Sequence, residues 1–340
     1  MSLTFIDNLT FNQDGKYISA IKIPHSTNDS GWGSLLLPVI VIRHGEGATI
    51  LFTGGNHGDE YEGPIALRNL ANKIKVEDIQ GQVIIVPYLN YPAILAGTRL
   101  SPVDGQNMNR SFPGNPDGSM TQKIADFVYR ELVMRSDVVL DFHSGGNSMI
   151  FEPCTVLHKL EDFNQMKKTV LAVNKFGAPL SLLLNELDSK GMLDTAVEKN
   201  GKIFISTELG GGGSVSPRTL KIAEDGIRNL LRHFKILPPN EELVPKTKFM
   251  HTPDIGGYLM APQEGLYETL IELGEPVAKG QVIGRIHSIS QIEVPTVEVQ
   301  AQIDGLLVTR AGRAPVKIGD TIAVIATDID VSEFFIDTKS

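Results

Sequence analysis

His57 and Glu60 stand three residues apart in "GGNHGDEYEGP", residues 54 to 64. An imidazole nitrogen and a carboxylate oxygen are donors that zinc accepts, so the pair could supply half of a metal site. Spacing alone does not establish this, because His158 and Glu161 in "LHKLEDF" repeat it. That second pair lies in a charged stretch without glycines that reads as helix, where the two would be solvated neighbours on adjacent turns. The first pair has a different setting. It follows the apolar run "ATILFTG" and precedes "GPIALRNLANKIKV", so it occupies a bend between strand and helix. In α/β sheets, binding crevices lie outside the carboxyl ends of strands.

Two more residues hold equivalent places. His143 follows "DVVLDF" and precedes Ser144–Gly145–Gly146, and Glu208 follows "KIFIST" and precedes Gly210 to Gly213. Three strands would then deliver His57, Glu60, His143 and Glu208 to one rim. Two histidines and one carboxylate form a common catalytic zinc set that leaves a fourth position for water. Such a cation lowers the pKa of its water to about 7 and polarises a carbonyl oxygen. Hydrolysis also needs a base that takes the water's proton and passes it to the leaving nitrogen, and Glu208 suits that role if Glu60 ligates.

The loop "GTRLSPVDGQNMNRSFPG" adds Arg99 and Arg110 among polar neighbours. A guanidinium pairs bidentately with a carboxylate, and one near a metal can stabilise an oxyanion. Plain surface arginines are the competing reading, and Asp104 reads as a turn residue. Other chemistries find little support. There is no G-x-S-x-G elbow and no G-x-x-x-x-G-K-[ST] loop. The glycine run 210–213 lacks the phosphate-loop lysine, and backbone crowding explains it equally well.

These positions require a frame of alternating strands and helices over residues 1–245, which predicts an α/β layered sheet with helices on its faces. Apolar residues Ile65, Leu67, Leu70, Ala71 and Ile74 fall at helical spacing behind the first bend, with Pro64 suited to the first turn. "LPPNEELVPKTKF" reads as a linker. Residues 246–330 look all-β and repeat themselves, Ala261 aligning with Ala301, Gly265 with Gly305, Val277 with Val316 and Gly280 with Gly319. Two such halves predict one small barrel or sandwich. This segment resembles the biotinyl/lipoyl-carrier fold, but the joining segment 287–296 contains no lysine to carry a prosthetic group. A structural or pocket-rimming module is the expectation. Residues 331–340 are read as a tail.

The bulk properties narrow the partners. A formal charge of -9 argues against nucleic acid, since phosphate binding needs clustered Lys and Arg. Cys154 is the single cysteine, which excludes an intrachain disulfide, and its apolar neighbours predict a buried, inert thiol. No apolar run approaches the roughly 18 residues of a membrane span. The N-terminus lacks the pattern of a signal peptide, so a cytoplasmic protein is expected. A rigid β-module beside a catalytic unit could also pack on a partner subunit as a homo-oligomer.

Taken together, "GGNHGDEYEGP", "NMNRSFPG", "DFHSGG" and "TELGGGG" resemble the succinylglutamate desuccinylase/aspartoacylase family of zinc carboxypeptidase-like hydrolases. The likeness covers about residues 35 to 325 and implies a mixed sheet flanked by helices. It implies one Zn2+ per chain on His57, Glu60 and His143, with Glu208 as general base and acid. Asn109 and Arg110 match the pair that holds the substrate carboxylate, and Arg99 matches the arginine that polarises the scissile carbonyl. Its spacing to Asn109 is longer than in aspartoacylase proper. The implied reaction removes an acyl group from a small-molecule N-acyl amino acid. Within the family, "GNHGDEYEGP" with "LSPVDGQNMNRSFPG" is most similar to the N-acetyl-diaminobutyrate deacetylases of ectoine breakdown. Acetylaspartate, succinylglutamate or a peptide C-terminus are the nearest alternatives, and a non-catalytic binding or assembly protein is the distant one.

Overall fold

The strands Thr49–Gly54, Gly81–Val86 and Val138–His143 are buried at nearly every position. A strand covered on both faces has no reason to alternate, which is why these segments read as unbroken apolar runs. The structure, a computed structural model, describes residues 3–5, 9–184, 190–241, 243–290 and 292–335. The last residues of the expected tail, 336–340, and residue 291 of the segment between the repeats lie outside that set.

The sheet is mixed. Thr49–Gly54 runs parallel to both Gly81–Val86 and Val138–His143, and Val138–His143 runs parallel to Ile203–Glu208. Ser34–His44 joins antiparallel to Gly81–Val86, and Gly15–Pro24 extends the sheet beyond it as a long hairpin. On the other side Cys154–His158 is antiparallel to Ile203–Glu208, and Leu180–Leu184 is parallel to Cys154–His158. Helices cover both faces. Glu62–Lys73, Phe163–Phe176 and Pro217–His233 bury Leu67, Phe176 and Ile227 on one side. Met120–Glu131 and Leu193–Glu198 bury Ile124, Val128, Leu193 and Val197 on the other.

One detail of the predicted helix pattern changes. Ile65 is 40% exposed, and Ala66 takes its place in the core. Ile65 lies two residues from Leu67, and positions two apart on a helix face away from each other.

The β-rich segment from residue 246 onward is stitched into this sheet. Lys248–His251 runs parallel to Leu180–Leu184 and antiparallel to Thr321–Asp328. Met149–Phe151, from the α/β part, pairs with Gly305–Ala311. The halves of the segment exchange strands symmetrically: Gly265–Thr269 pairs with Pro315–Val316, and Pro276–Val277 pairs with Gly305–Ala311. Matching positions also match in burial, Ala261 with Ala301 and Val277 with Val316. Gly280 and Gly319 close equivalent turns at φ 84° and 88°. Among the described residues, no helix is long and apolar enough to cross a membrane.

Candidate active site

Three adjacent parallel strands end together. Gly54 stands in register with Phe142, and His143 with Glu208. Side chains two apart on a strand share a face, so Asp141 and His143 point the same way, as do Ser206 and Glu208 beside them. Phe142 points the other way and packs on the helix behind the first bend. A Cβ on Gly63 would lie 2.2 Å from the Phe142 Cβ, so only glycine lets the helix sit this close. At Gly58 a Cβ would lie 2.0 Å from the Ala93 carbonyl carbon. The glycines of the first bend thus permit backbone crowding that turns His57 and Glu60 back over the strand ends.

The bend brings Glu60 between two imidazoles. His57 Nδ1 lies 2.7 Å from Glu60 Oε1, and His143 Nδ1 lies 2.9 Å from Glu60 Oε2. Candidate ligand atoms of His57, Glu60 and His143 all fall within 4.8 Å of one another, and all three residues are buried. The far nitrogens are also held. His57 Nε2 is 3.1 Å from Asn107 Oδ1, and His143 Nε2 is 2.9 Å from Asp141 Oδ2. Asp141 is itself fixed by Thr53 Oγ1 at 2.6 Å and Asn56 Nδ2 at 2.8 Å. Partners of this kind orient metal-binding histidines and set which nitrogen is available.

The charges reinforce one another. Burial opposes ionisation of Glu60, but His57 and His143 outweigh it and hold the carboxyl well below its usual range. Burial likewise opposes protonation of His143, yet Asp141 and Glu60 lift its pKa well above an ordinary imidazole. For His57 burial prevails over Glu60 and lowers the pKa. Glu208 behaves oppositely to Glu60: burial, then the Glu60 carboxylate, push it up to about 8. Its Oε2 is buried without a hydrogen-bond partner. An orphaned carboxylate oxygen beside a His–Glu–His cluster fits a site that completes itself with a cation and its water. Glu62 is raised to about 7, chiefly by burial.

A cavity of about 320 Å³ opens over these groups and also reaches Arg99, Asn109 and Arg110. Arg99 Nη1 lies 3.2 Å from His57 Nδ1 and 3.4 Å from Glu60 Oε1. Asn109 and Arg110 sit in the short turn Met108–Arg110, whose start is capped by Asn107 Oδ1 accepting from Asn109 N at 2.9 Å. The structure therefore brings all seven residues singled out in the sequence to one cavity. Asp104 accepts from the Thr121 backbone N–H at 2.8 Å and the Gln106 N–H at 3.2 Å, pinning the loop as a turn residue does. Cys154 is fully buried, and burial drives its thiol pKa well up. Crowding also accounts for the glycine run: a Cβ on Gly211 would lie 2.2 Å from the Met149 carbonyl oxygen.

The second His-x-x-Glu pair departs from its expected reading. His158 ends the strand Cys154–His158 instead of lying in a helix, and the helix starts only at Phe163 behind its Asp162 cap. Its side chain is 11% exposed, lies 3.3 Å from Glu198 Oε1, and lines the same cavity. Glu161 is exposed. Sequence reasoning also passed over Asp141, Asn107, Asp194 and Tyr258. Asp141 had a local signal, its i,i+2 relation to His143 on a strand. Tyr258 comes from the β-rich segment to the cavity wall, a juxtaposition with no local signature.

Residues 46–234 match the succinylglutamate desuccinylase/aspartoacylase catalytic domain, and the chain belongs to that family. It is a hydrolase acting on N-acyl amino acids. The chain is 46% identical over 321 residues to the N-alpha-acetyl-L-2,4-diaminobutyric acid deacetylase of Halomonas elongata, covering 94% of each chain. The product-bound ectoine utilization protein EutE (DoeB) of Ruegeria pomeroyi superposes with a TM-score of 0.92 at 45% identity, over 96% of this chain and 98% of that one. A succinylglutamate desuccinylase/aspartoacylase of Rhodobacter sphaeroides gives a TM-score of 0.90 at 35% identity, over 96% and 99%.

Proposed function

We propose that this chain is a zinc-dependent deacetylase of N-α-acetyl-L-2,4-diaminobutyrate, releasing acetate and the free diamino acid. The reading rests above all on the buried, unpartnered Oε2 of Glu208, which shares its cavity with the His57–Glu60–His143 cluster. The substrate is taken from the diaminobutyric acid deacetylase, which matches nearly the whole chain.

His57, Glu60 and His143 would hold the zinc. When bound, the ion supplies an acidified water and a Lewis acid for the amide oxygen. Arg110, beside Asn109, pairs with the α-carboxylate and fixes which bond reaches the strand ends. Arg99 presents its guanidinium beside the metal-binding cluster, where the carbonyl oxygen gains negative charge. Glu208 takes the water's proton as the C–O bond forms, then gives it to the nitrogen as the C–N bond breaks. Burial that favours its protonated form suits the second half of that exchange. Asp141 and Asn107 keep the imidazoles oriented. The β-rich segment, read as a biotinyl/lipoyl-like module without a prosthetic group, serves as a wall of the cavity through Tyr258.

The test is direct. Purified protein should carry one zinc per chain and deacetylate acetyl-diaminobutyrate. Glu208→Gln should keep the zinc and lose roughly 10²- to 10⁴-fold in kcat. Full activity in that variant, or wild-type protein without stoichiometric zinc, would overturn the mechanism. In a panel of N-acyl amino acids, preference for acetylaspartate would overturn the substrate.

A further inference from the structure

Among the described residues, four carboxylates line the cavity: Glu60, Asp141, Glu208 and Asp194. Three have work within the site. Glu60 faces both imidazoles, Asp141 orients His143, and Glu208 is placed to move the proton. Asp194 touches none of these groups, and no family motif quoted above contains it.

Asp194 sits in the first turn of the helix Leu193–Glu198, and the residue is 5% exposed. The hydrogen bonds to its carboxylate fall on Oδ1, from the Thr195 backbone N–H and from Thr195 Oγ1 at 3.1 Å. Among the described residues no Lys, Arg or His forms an ion pair with it. A carboxylate withdrawn from water without a cation is costly, and a cationic ligand removes that cost. The helix is tied to the carboxylate clamp, because the Leu193 N–H donates to Asn109 Oδ1 at 3.0 Å. Asp194 is thereby tied, through its neighbour Leu193, to the turn that carries Arg110. Leu184 and Met192 line the same cavity and offer apolar contact for a short methylene chain.

We propose that Asp194 is the specificity-determining residue that receives the substrate's side-chain ammonium, so that the cavity selects ω-amino over ω-carboxylate N-acyl amino acids. This deepens the substrate reading above and depends on it. A zwitterionic substrate, its carboxylate directed to Arg110, brings its ammonium to Asp194 as the counter-charge that this aspartate lacks. A side-chain carboxylate in the same place would meet like charge.

The experiment uses zinc-loaded wild type and Asp194→Asn, which keeps an oxygen for Thr195. Three substrates differ only at the end of one side chain: N-acetyl-2,4-diaminobutyrate, N-acetylnorvaline with a methyl in place of ammonium, and N-acetylglutamate with a carboxylate. Asp194→Asn should lose roughly 30-fold or more in kcat/KM on the ammonium substrate, mainly through KM. It should change less than about threefold on acetylnorvaline and gain on acetylglutamate. An equal loss on all three substrates would show a merely structural role and overturn the proposal. A second variant, Asp194→Glu, carries its carboxylate one methylene further, so preference should move toward the shorter N-α-acetyl-2,3-diaminopropionate. An unchanged ratio of the two diamino substrates also counts against it. Wild type without preference for the ammonium substrate fails the substrate reading itself. Wild type that has the preference and keeps it in Asp194→Asn fails the assignment of Asp194 alone.

Discussion

His57–Glu60 and His158–Glu161 carry the same residue types at the same interval, and both histidines line one cavity. Only the first pair converges. Its glycine-rich bend folds Glu60 back between His57 and His143, and every ring nitrogen there has a partner. In the second, His158 closes a strand and turns to Glu198, a residue forty positions away, while Glu161 points to solvent. A metal site is defined by whether the backbone returns the side chains to one point, and here crowding at Gly58 and Gly63 produces the return. The interval between residues in the chain carries no such information.

Substitutions can break or sharpen this contrast. The largest effect belongs to His57→Ala, which should bring both zinc content and deacetylase activity to background; retained zinc at wild-type stoichiometry would remove His57 from the cluster. Asp141→Asn acts one layer out. It should weaken zinc about 10- to 100-fold, read by competition with a chelator, because His143 loses the carboxylate that orients it. His158→Gln should leave zinc in place and shift kcat/KM by less than about tenfold, since its contact is with Glu198 and the cavity wall. Glu161→Ala should alter neither activity nor stability beyond about 0.5 kcal/mol by urea denaturation. Zinc loss in His158→Gln would erase the distinction between the pairs.

Much of the site was legible because parallel strands deliver residues at their carboxyl ends, and His57, His143 and Glu208 each follow an apolar run closely. The strand periodicity would have exposed Asp141 as well, two positions before His143. His158 was misread for a physical reason: the charged residues after it resemble a helix, but Asp162 caps the helix only from Phe163. Asp194 and Tyr258 come to the cavity by tertiary packing, from a short helix and from the β-rich segment. The strand Gly15–Pro24 was not drawn, because its mostly half-exposed positions lack the strong apolar signal of the centre.

The pairing of Met149–Phe151 with Gly305–Ala311 ties the α/β part to the terminal segment. The strand begins six residues after His143, and its partner belongs to the second half of the β-rich repeat. A chain ending near residue 245 would leave that strand and the outer edge of Leu180–Leu184 unpaired, two open templates for aggregation. Strands outside the family-domain region, residues 46–234, thus complete the sheet that it contains. Exchanging the terminal segment would therefore require re-fitting Met149–Phe151, the strand that follows His143.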